Sequence, residues 1–224
     1  MAKDLNIKNN FKMWDNTSTW IDGGEEWSKH FNGTDTLWDE ILYPRIKEYV
    51  TGNVLEIAPG HGRITRKLLE QNISLSVIDL SVTCINTCRN RFGKRIKNYH
   101  VGNGEDLTPI ESSTQDFIFS FDSFVHMDKE VISSYIKEMA RVLKPKGYAW
   151  IHHSNLCDGN VDNFQNIAGR SNMDLPTFKS LTFNRGEDEP KGSFLDVVSQ
   201  ETIAWNAEGN PTWLNDGLTL IQKR

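Results

Sequence analysis

The pattern of apolar and polar positions changes character near residue 50. Before it, apolar residues are scattered and largely aromatic, and only one stretch is regular. Leu37, Ile41, Leu42, Ile46 and Val50 recur at helical spacing and predict a helix from Thr34 to Val50, which Thr51-Gly52-Asn53 stops. After it, short apolar runs alternate with amphipathic segments. "NVLEIA" reads as a strand and "GRITRKLLEQ" as a helix with Ile64 and Leu68 inward. "SLSVIDL" is a second strand, followed by a helix over 82–92 that ends at Gly93. "KNYHV" and the apolar "DFIFSF" supply strands three and four. "DKEVISSYIKEMARVLK" carries Val131, Ile132, Tyr135, Ile136, Met139 and Leu143 on one side, the stripe of a helix packed on a sheet. Pro145-Lys146-Gly147 closes that helix, and "GYAWIHHS" makes a fifth strand.

Strand–helix units repeated at this length predict a parallel sheet covered by helices on both faces. Beyond Ser154 the alternation weakens. "MDLPTFKSL" reads as a helix, "NRGEDEPKG" as a charged loop, and "FLDVVSQETIAW" and "GLTLIQK" as consecutive strands joined around 206–215. Consecutive strands predict an antiparallel addition at the sheet edge. The expectation is one α/β domain over 51–224, preceded by an N-terminal cap or lid over 1–50.

Composition narrows the function class. A net charge of −5 over 224 residues argues against a general nucleic-acid binder. The basic run "RNRFGKRIK" falls at a predicted helix C-terminus, where cations complement the dipole. No run of about 18 apolar residues predicts a membrane span, and "MAKDLNIKNNFKMW" lacks the apolar core of a signal peptide. Three cysteines, with Cys84 and Cys88 on one helical face, fit neither a disulfide framework nor a zinc site. A reduced cytoplasmic setting and no metal are therefore expected. Four of the seven tryptophans lie before residue 50. Trp38 fits the core of the predicted helix. Trp20 and Trp27, flanking "IDGGEE", are candidates for a lid over cofactor and substrate.

The chemistry concentrates at the first strand-to-helix turn, "VLEIAPGHGRIT". A parallel sheet binds ligands at the carboxyl ends of its strands near the switch in strand order, where Ala58 to Gly62 would lie. Gly60 and Gly62 let backbone approach a ligand, and the amides beyond them favour an anionic group. Asp79 ends the second strand 19 residues after Gly60, where an acid accepts hydrogen bonds from both ribose hydroxyls. Ser81 is an alternative N-cap for the helix that follows, so Asp79 is free for a ligand. A dinucleotide fold, as in a nicotinamide-dependent reductase, wants G-x-G-x-x-G, and the third glycine is missing. Glu56, buried in the strand before the turn, would repel a pyrophosphate. It suits a nucleoside ligand that carries both a positive and a negative group.

"VLEIAPGHGRIT" resembles motif I of the class I S-adenosylmethionine-dependent methyltransferases, E/D-x-G-x-G-x-G, with Pro59 read as standing where a glycine is often found. "SVIDLS" resembles the family's ribose-binding second strand, "VGNGEDLT" its adenine-side loop and "DFIFSFDSFVHM" its fourth strand and following loop. "EMARVLKPKGYAWI" is similar to its R-V-L-K-P-G-G stretch, with Lys146 in place of the first glycine. The resemblance covers roughly residues 50–155 with the motifs in order. It implies a Rossmann-like fold, a mostly parallel seven-stranded sheet with an antiparallel C-terminal edge strand, and S-adenosyl-L-methionine as cofactor. Position by position, it puts the Ala58–Gly60–Gly62 turn against the methionine part, with Glu56 supporting the loop. Asp79 would hold the ribose and Leu80 pack beside the adenine, while Gly104, Glu105 and Asp106 border the adenine edge. Ser120 and Phe121 would line the floor below the sulfonium.

Transfer to a hydroxyl needs a base. His126 follows strand four and His152-His153 end strand five, so the fold brings both places to the rim of one cleft. Adjacent strand residues point to opposite faces, so one of the pair faces it. His126 is the first candidate base and His153 the second, since imidazole ordinarily titrates near neutrality. The polar rim of Asp122, His126, His152, His153 and Asn155 suits a polar small-molecule acceptor. "WIDGGEEWS", "ETIAWN" and "LNDG" also resemble a group of small bacterial methyltransferases linked with sugar or surface-polysaccharide modification. That resemblance implies O-methylation of a sugar or nucleotide-sugar hydroxyl. Methylation of a small amine, or a non-catalytic S-adenosylmethionine-binding subunit, are the alternatives.

Overall fold

The computed structural model describes residues 2–156, 170–183, 195–204 and 215–224. The strands are β1 (Gly52–Ile57), β2 (Ile73–Asp79), β3 (Asn98–Val101), β4 (Gln115–Phe124), β5 (Leu143–Ser154), β6 (Leu195–Ala204) and β7 (Asn215–Lys223). They form one seven-stranded sheet in the order β3-β2-β1-β4-β5-β7-β6. The first five pair in parallel, and β7 runs antiparallel to both β5 and β6. The sheet has the strand number and directions that the resemblance implied.

The central strands read as unbroken apolar runs because both of their faces are covered. Val54, Val77, Phe117, Phe119 and Trp150 point into one core layer. Leu55, Ile57, Ile118, Ala149 and Ile151 alternate with them into the other. The helices are α1 (Ala2–Trp14), α2 (34–46), α3 (Thr65–Leu68), α4 (Val82–Phe92), α5 (Lys129–Val142) and α6 (Leu175–Phe183). Ile85 and Cys88 of α4 pack in the first layer, and Val131, Ile132, Ile136 and Met139 of α5 in the second.

The segment before residue 50 divides in two. Leu37, Trp38, Leu42 and Ile46 of α2 are buried in the first core layer. Its middle turn, Leu37–Leu42, is a π-helix in which the Tyr43 N–H reaches back to Trp38 O. Pro44 follows and has no N–H to continue the ordinary ladder, which accounts for the wide turn. α1 lies over the open ends of the strands instead. Lys3 pairs with Glu105 at 2.6 Å, and the side chains of Asn6 and Asn10 both donate to His126 O at 3.1 Å.

Several elements differ from their sequence-based bounds. The helix expected over "GRITRKLLEQ" is regular only from Thr65 to Leu68, because Gly60 and Gly62 hold the preceding turn at positive φ. β5 starts at Leu143, so Pro145-Lys146-Gly147 lies within the strand instead of before it. α1 was not expected: Ile7, Phe11 and Trp14 are helix-spaced, but the other apolar positions, Leu5 and Met13, face solvent and blur the stripe. The "NRGEDEPKG" loop, Cys157 and the connection around 205–214 lie outside the described residues.

Candidate active site

The strand order reverses between β1 and β4, and a cavity of about 420 Å³ opens there at the carboxyl ends of β1, β2 and β4. β1 supplies Glu56 and, through its turn, Ala58 and Gly60; β2 supplies Asp79 and Leu80. Phe121 and His126 come from β4 and its following loop, Gly104 from the loop after β3, and Trp14, Trp20 and Trp27 from the N-terminal segment.

The floor is built from carboxylates and amides. Asp79 is buried, with one oxygen accepting from Gly60 N–H at 3.1 Å and the other from Ser81 N–H at 2.8 Å. Burial raises its carboxyl to about 6 against the pull of those amides. Ser81 Oγ accepts from Cys84 N–H, so Ser81 caps α4 and leaves Asp79 facing the cavity. Glu56 accepts from the Thr65 hydroxyl at 2.7 Å, and burial, with the nearby Asp79 charge adding to it, pushes its carboxyl up to about 8. At neutral pH Glu56 is protonated, and it ties β1 to α3 as a hydrogen-bonding group rather than an anion.

The glycine turn carries an unexpected conformation. Ala58 itself has φ 57, alongside Gly60 at 57 and Gly62 at 86. The residue occupying a left-handed position without being glycine is therefore Ala58, not Pro59. A Cβ on Gly60 would lie 2.2 Å from the Trp20 ring, and one on Gly104 3.1 Å from Ile7 and Leu80. These two glycines are cradle positions. Gly62 is different: its neighbours are the Phe92 ring and Cys88 sulfur, so it closes the turn onto α4 and does not line the cavity.

Four other expected site residues also lie off the cavity. Glu105 pairs with Lys3, and Asp106 is engaged by Asn103 Nδ2 at 2.7 Å and Thr108 N–H at 2.9 Å. Ser120 donates to Ile57 O at 2.9 Å, joining β4 to β1 beneath the floor. His153 requires a correction. Strand alternation turns it to the opposite face, fully buried, stacked on Phe178 at 4.2 Å and hydrogen-bonded to Ser154 O and Thr219 Oγ1. Burial drives it down to about 4. His126 does line the cavity, with its ring 4.9 Å from that of Trp14.

His152, the other member of the pair, is fully buried behind the cavity-lining Asp122 and joins a row of side chains whose connection the sequence does not show. The Asp122 N–H donates to His152 Nδ1 at 3.1 Å, so the ring proton is on Nε2 and donates to Asp216 Oδ2 at 3.1 Å. Arg170 grips Asp216, and Arg63 donates to Asp122 at 2.5 Å. Burial would raise the Asp122 carboxyl, but the Arg63 and Arg170 charges, with the Arg63 hydrogen bond, hold it below the usual range. Asp122 has φ 61 in a bulge where β4 slips against β5, and Arg63, Asp122 and Arg170 all face the cavity. The sequence signal was only the "FDSF" interruption of an apolar strand.

Residues 54–147 match the model of a methyltransferase domain family. That stretch of the chain is a methyltransferase domain. Solved structures share the fold of this methyltransferase at low identity. One is an S-adenosylmethionine-dependent methyltransferase of Leishmania major, at 14% identity with 98% of this chain and 82% of that chain covered and a TM-score of 0.65. Another is the Burkholderia thailandensis 1,6-didemethyltoxoflavin-N1-methyltransferase with bound S-adenosylhomocysteine, at 16%, 98%, 88% and 0.62. A third is a protein of Pyrococcus horikoshii OT3, at 18%, 92%, 95% and 0.64. No curated protein matches the chain in sequence. The glycine cradle and the cavity-facing Asp79 fit a nucleoside with a charged tail, as a methyl donor of the S-adenosylmethionine type would present. Among the described residues no helix is long and apolar enough to cross a membrane, and no cluster of His, Cys, Asp or Glu is arranged to hold a metal.

Proposed function

We propose that the methyltransferase methylates a hydroxyl of a polar, carbohydrate-like small molecule, with His126 as general base. The observation that carries this reading is the composition of the cavity wall away from Asp79. Arg63, Asp122, Ser123, His126 and Arg170 converge there from separate segments. Such a set suits an acceptor with several hydrogen-bonding groups better than a flat aromatic one. In this reading Asp79 and Leu80 hold the nucleoside, Gly60 and Ala58 border the methionine part, and Trp20 and Trp27 close over it. Residues 1–50 then cap a single domain that runs from 51 to 224.

Bound S-adenosylmethionine supplies a methyl group on a sulfonium leaving group. The protein's part is to hold the acceptor oxygen in line and remove its proton. Two backbone-directed bonds from α1 fix the His126 carbonyl, and Trp14 packs on its ring, so the imidazole is held at the cavity wall. The test is a methyl-transfer screen with labelled donor against free sugars, nucleotide-sugars and small amines. Label appearing only in amines would overturn the hydroxyl reading. A nucleotide-sugar or sugar product would support it.

A further inference from the structure

Trp14, Trp20 and Trp27 form one continuous aromatic wall on the cavity. Their ring centroids lie 5.0 to 5.7 Å apart, tilted or edge-on to one another. Trp20 Nε1 donates to Trp14 O and Trp14 Nε1 to Asn10 Oδ1, so these two N–H groups are satisfied inside the N-terminal segment. All three rings line the cavity, with one face of Trp20 stacked on the His61 ring at 4.3 Å. Trp27 already has the Arg63 guanidinium over its ring at 5.9 Å, so a positive charge is accommodated at this wall.

The carboxylates facing the cavity do not supply the counter-charge. Among the described lining residues these are Glu56, Asp79 and Asp122. Glu56 is held protonated at neutral pH by burial, Asp122 is paired with Arg63, and Asp79, in the proposed placement of the nucleoside, is taken up by the ribose. A cation entering here is left with the electron-rich indole surface. The donor carries a sulfonium, whereas the product S-adenosylhomocysteine carries a neutral thioether in its place.

We propose that the wall of Trp14, Trp20 and Trp27 makes the cleft selective for the positively charged donor over its neutral product, and so relieves product inhibition. The proposal rests on S-adenosylmethionine occupying this cleft. Each ring also contributes apolar packing, but that part is common to both ligands. The ratio of their affinities therefore isolates the charge-dependent part.

The experiment is calorimetry with S-adenosylmethionine and with S-adenosylhomocysteine on the wild-type chain, Trp14→Leu, Trp20→Leu and the corresponding Phe variants. In each Leu variant, donor affinity relative to product affinity should fall about tenfold, the scale of a desolvated cation–π contact. The Phe variants should show a smaller shift in the same direction, and they carry the test if a Leu variant does not fold. Equal weakening of both ligands, or no change in either, overturns the proposal. Asp79→Ala serves as the reference and should weaken both ligands by the same factor. If it changes neither, the donor is bound elsewhere, and the cofactor placement falls together with the proposal.

Discussion

The two halves of the cleft are built by different means. The half proposed for the cofactor is backbone: the turn after β1 and the end of β2, fixed by the Ala58 N–H bond to Ile78 O and by the Asp79 carboxylate bonded to two amides. The half proposed for the acceptor is side chains from distant segments, with Arg63, Asp122, His152, Asp216 and Arg170 linked in one row and His126 under α1. Strand ends and short turns are specified locally, so one constellation can be kept while the rest of a chain varies. A row of side chains spanning residues 63 to 216 depends on several separate segments and is where acceptor choice can change. Substitutions in the two halves should therefore fail differently, one in donor affinity and the other in turnover.

The sharpest contrast comes from His126→Ala. For a hydroxyl acceptor we expect turnover to fall by about a hundredfold or more, with donor affinity nearly unchanged. The check is the rate across pH 6 to 9 beside calorimetry of S-adenosylmethionine. An acceptor amine that is already neutral needs no base, and the same variant would then lose little. A loss of only a few-fold with a hydroxyl acceptor would leave positioning alone to carry the catalysis.

Asp79→Ala probes the other half. Two ribose hydrogen bonds to a charged acceptor, each worth about 1.5–3 kcal/mol, predict more than a tenfold loss of donor affinity. Because burial raises the carboxyl to about 6, the wild-type affinity should decline as pH falls through about 6, where the acceptor becomes protonated. Asp79→Asn should abolish that decline. Wild-type affinity in the Ala variant would remove Asp79 from the ribose.

Legibility in the sequence followed the same division. The turn after β1 and the end of β2 were readable because their requirements are local. Gly60 and Gly62 were visible as a turn, Asp79 as the acid ending a strand, and the apolar runs as buried strands. What was misread depended on relations across the sheet. The facing of His152 against His153 is a matter of one residue of register, set by the pairing of β5 with β7. Glu105 and Asp106 looked available because sequence shows neither Lys3 nor the Asn103 turn that engages them. The Arg63–Asp122–His152–Asp216–Arg170 row joins residues with no periodic or spacing signal. α1 escaped because the side facing the cleft also carries Asn6 and Asn10, while the apolar Leu5 and Met13 face solvent.

Glu56 gives a smaller effect, on stability. Its folded carboxyl titrates near 8 against an ordinary 4.5. Below about 4.5 both states are protonated and nothing distinguishes them. Between there and about 8 the unfolded chain ionises while the folded one keeps its proton, so the unliganded protein loses stability as pH rises. Glu56→Gln retains an acceptor for the Thr65 hydroxyl and removes this loss. Its melting temperature should exceed the wild type by several degrees at pH 8, at about 2–4 °C per kcal/mol, and by little at pH 5. Parallel melting curves at the two pH values would refute the assignment.

The smallest expected effect concerns two places where the family's glycines are replaced. Ala58 at φ 57 and Lys146 at φ 68 hold left-handed conformations that cost a residue with a Cβ about 1–2 kcal/mol. Glycine removes that strain but adds about 0.5–1 kcal/mol of unfolded-state entropy to be lost on folding. The net gain should be about 0.5–1 kcal/mol for Lys146→Gly, whose side chain is exposed. It should be smaller for Ala58→Gly, because the Ala58 methyl packs against the second core layer and its loss costs up to about 0.8 kcal/mol. The two sites lie in separate segments, Ala58 in the turn after β1 and Lys146 within β5, so the double variant should show the sum. Denaturant unfolding of the three variants decides the matter. If Ala58→Gly destabilises by more than about 1 kcal/mol, the methyl contact outweighs the strain. The chain then keeps alanine at the motif turn for packing rather than despite its backbone.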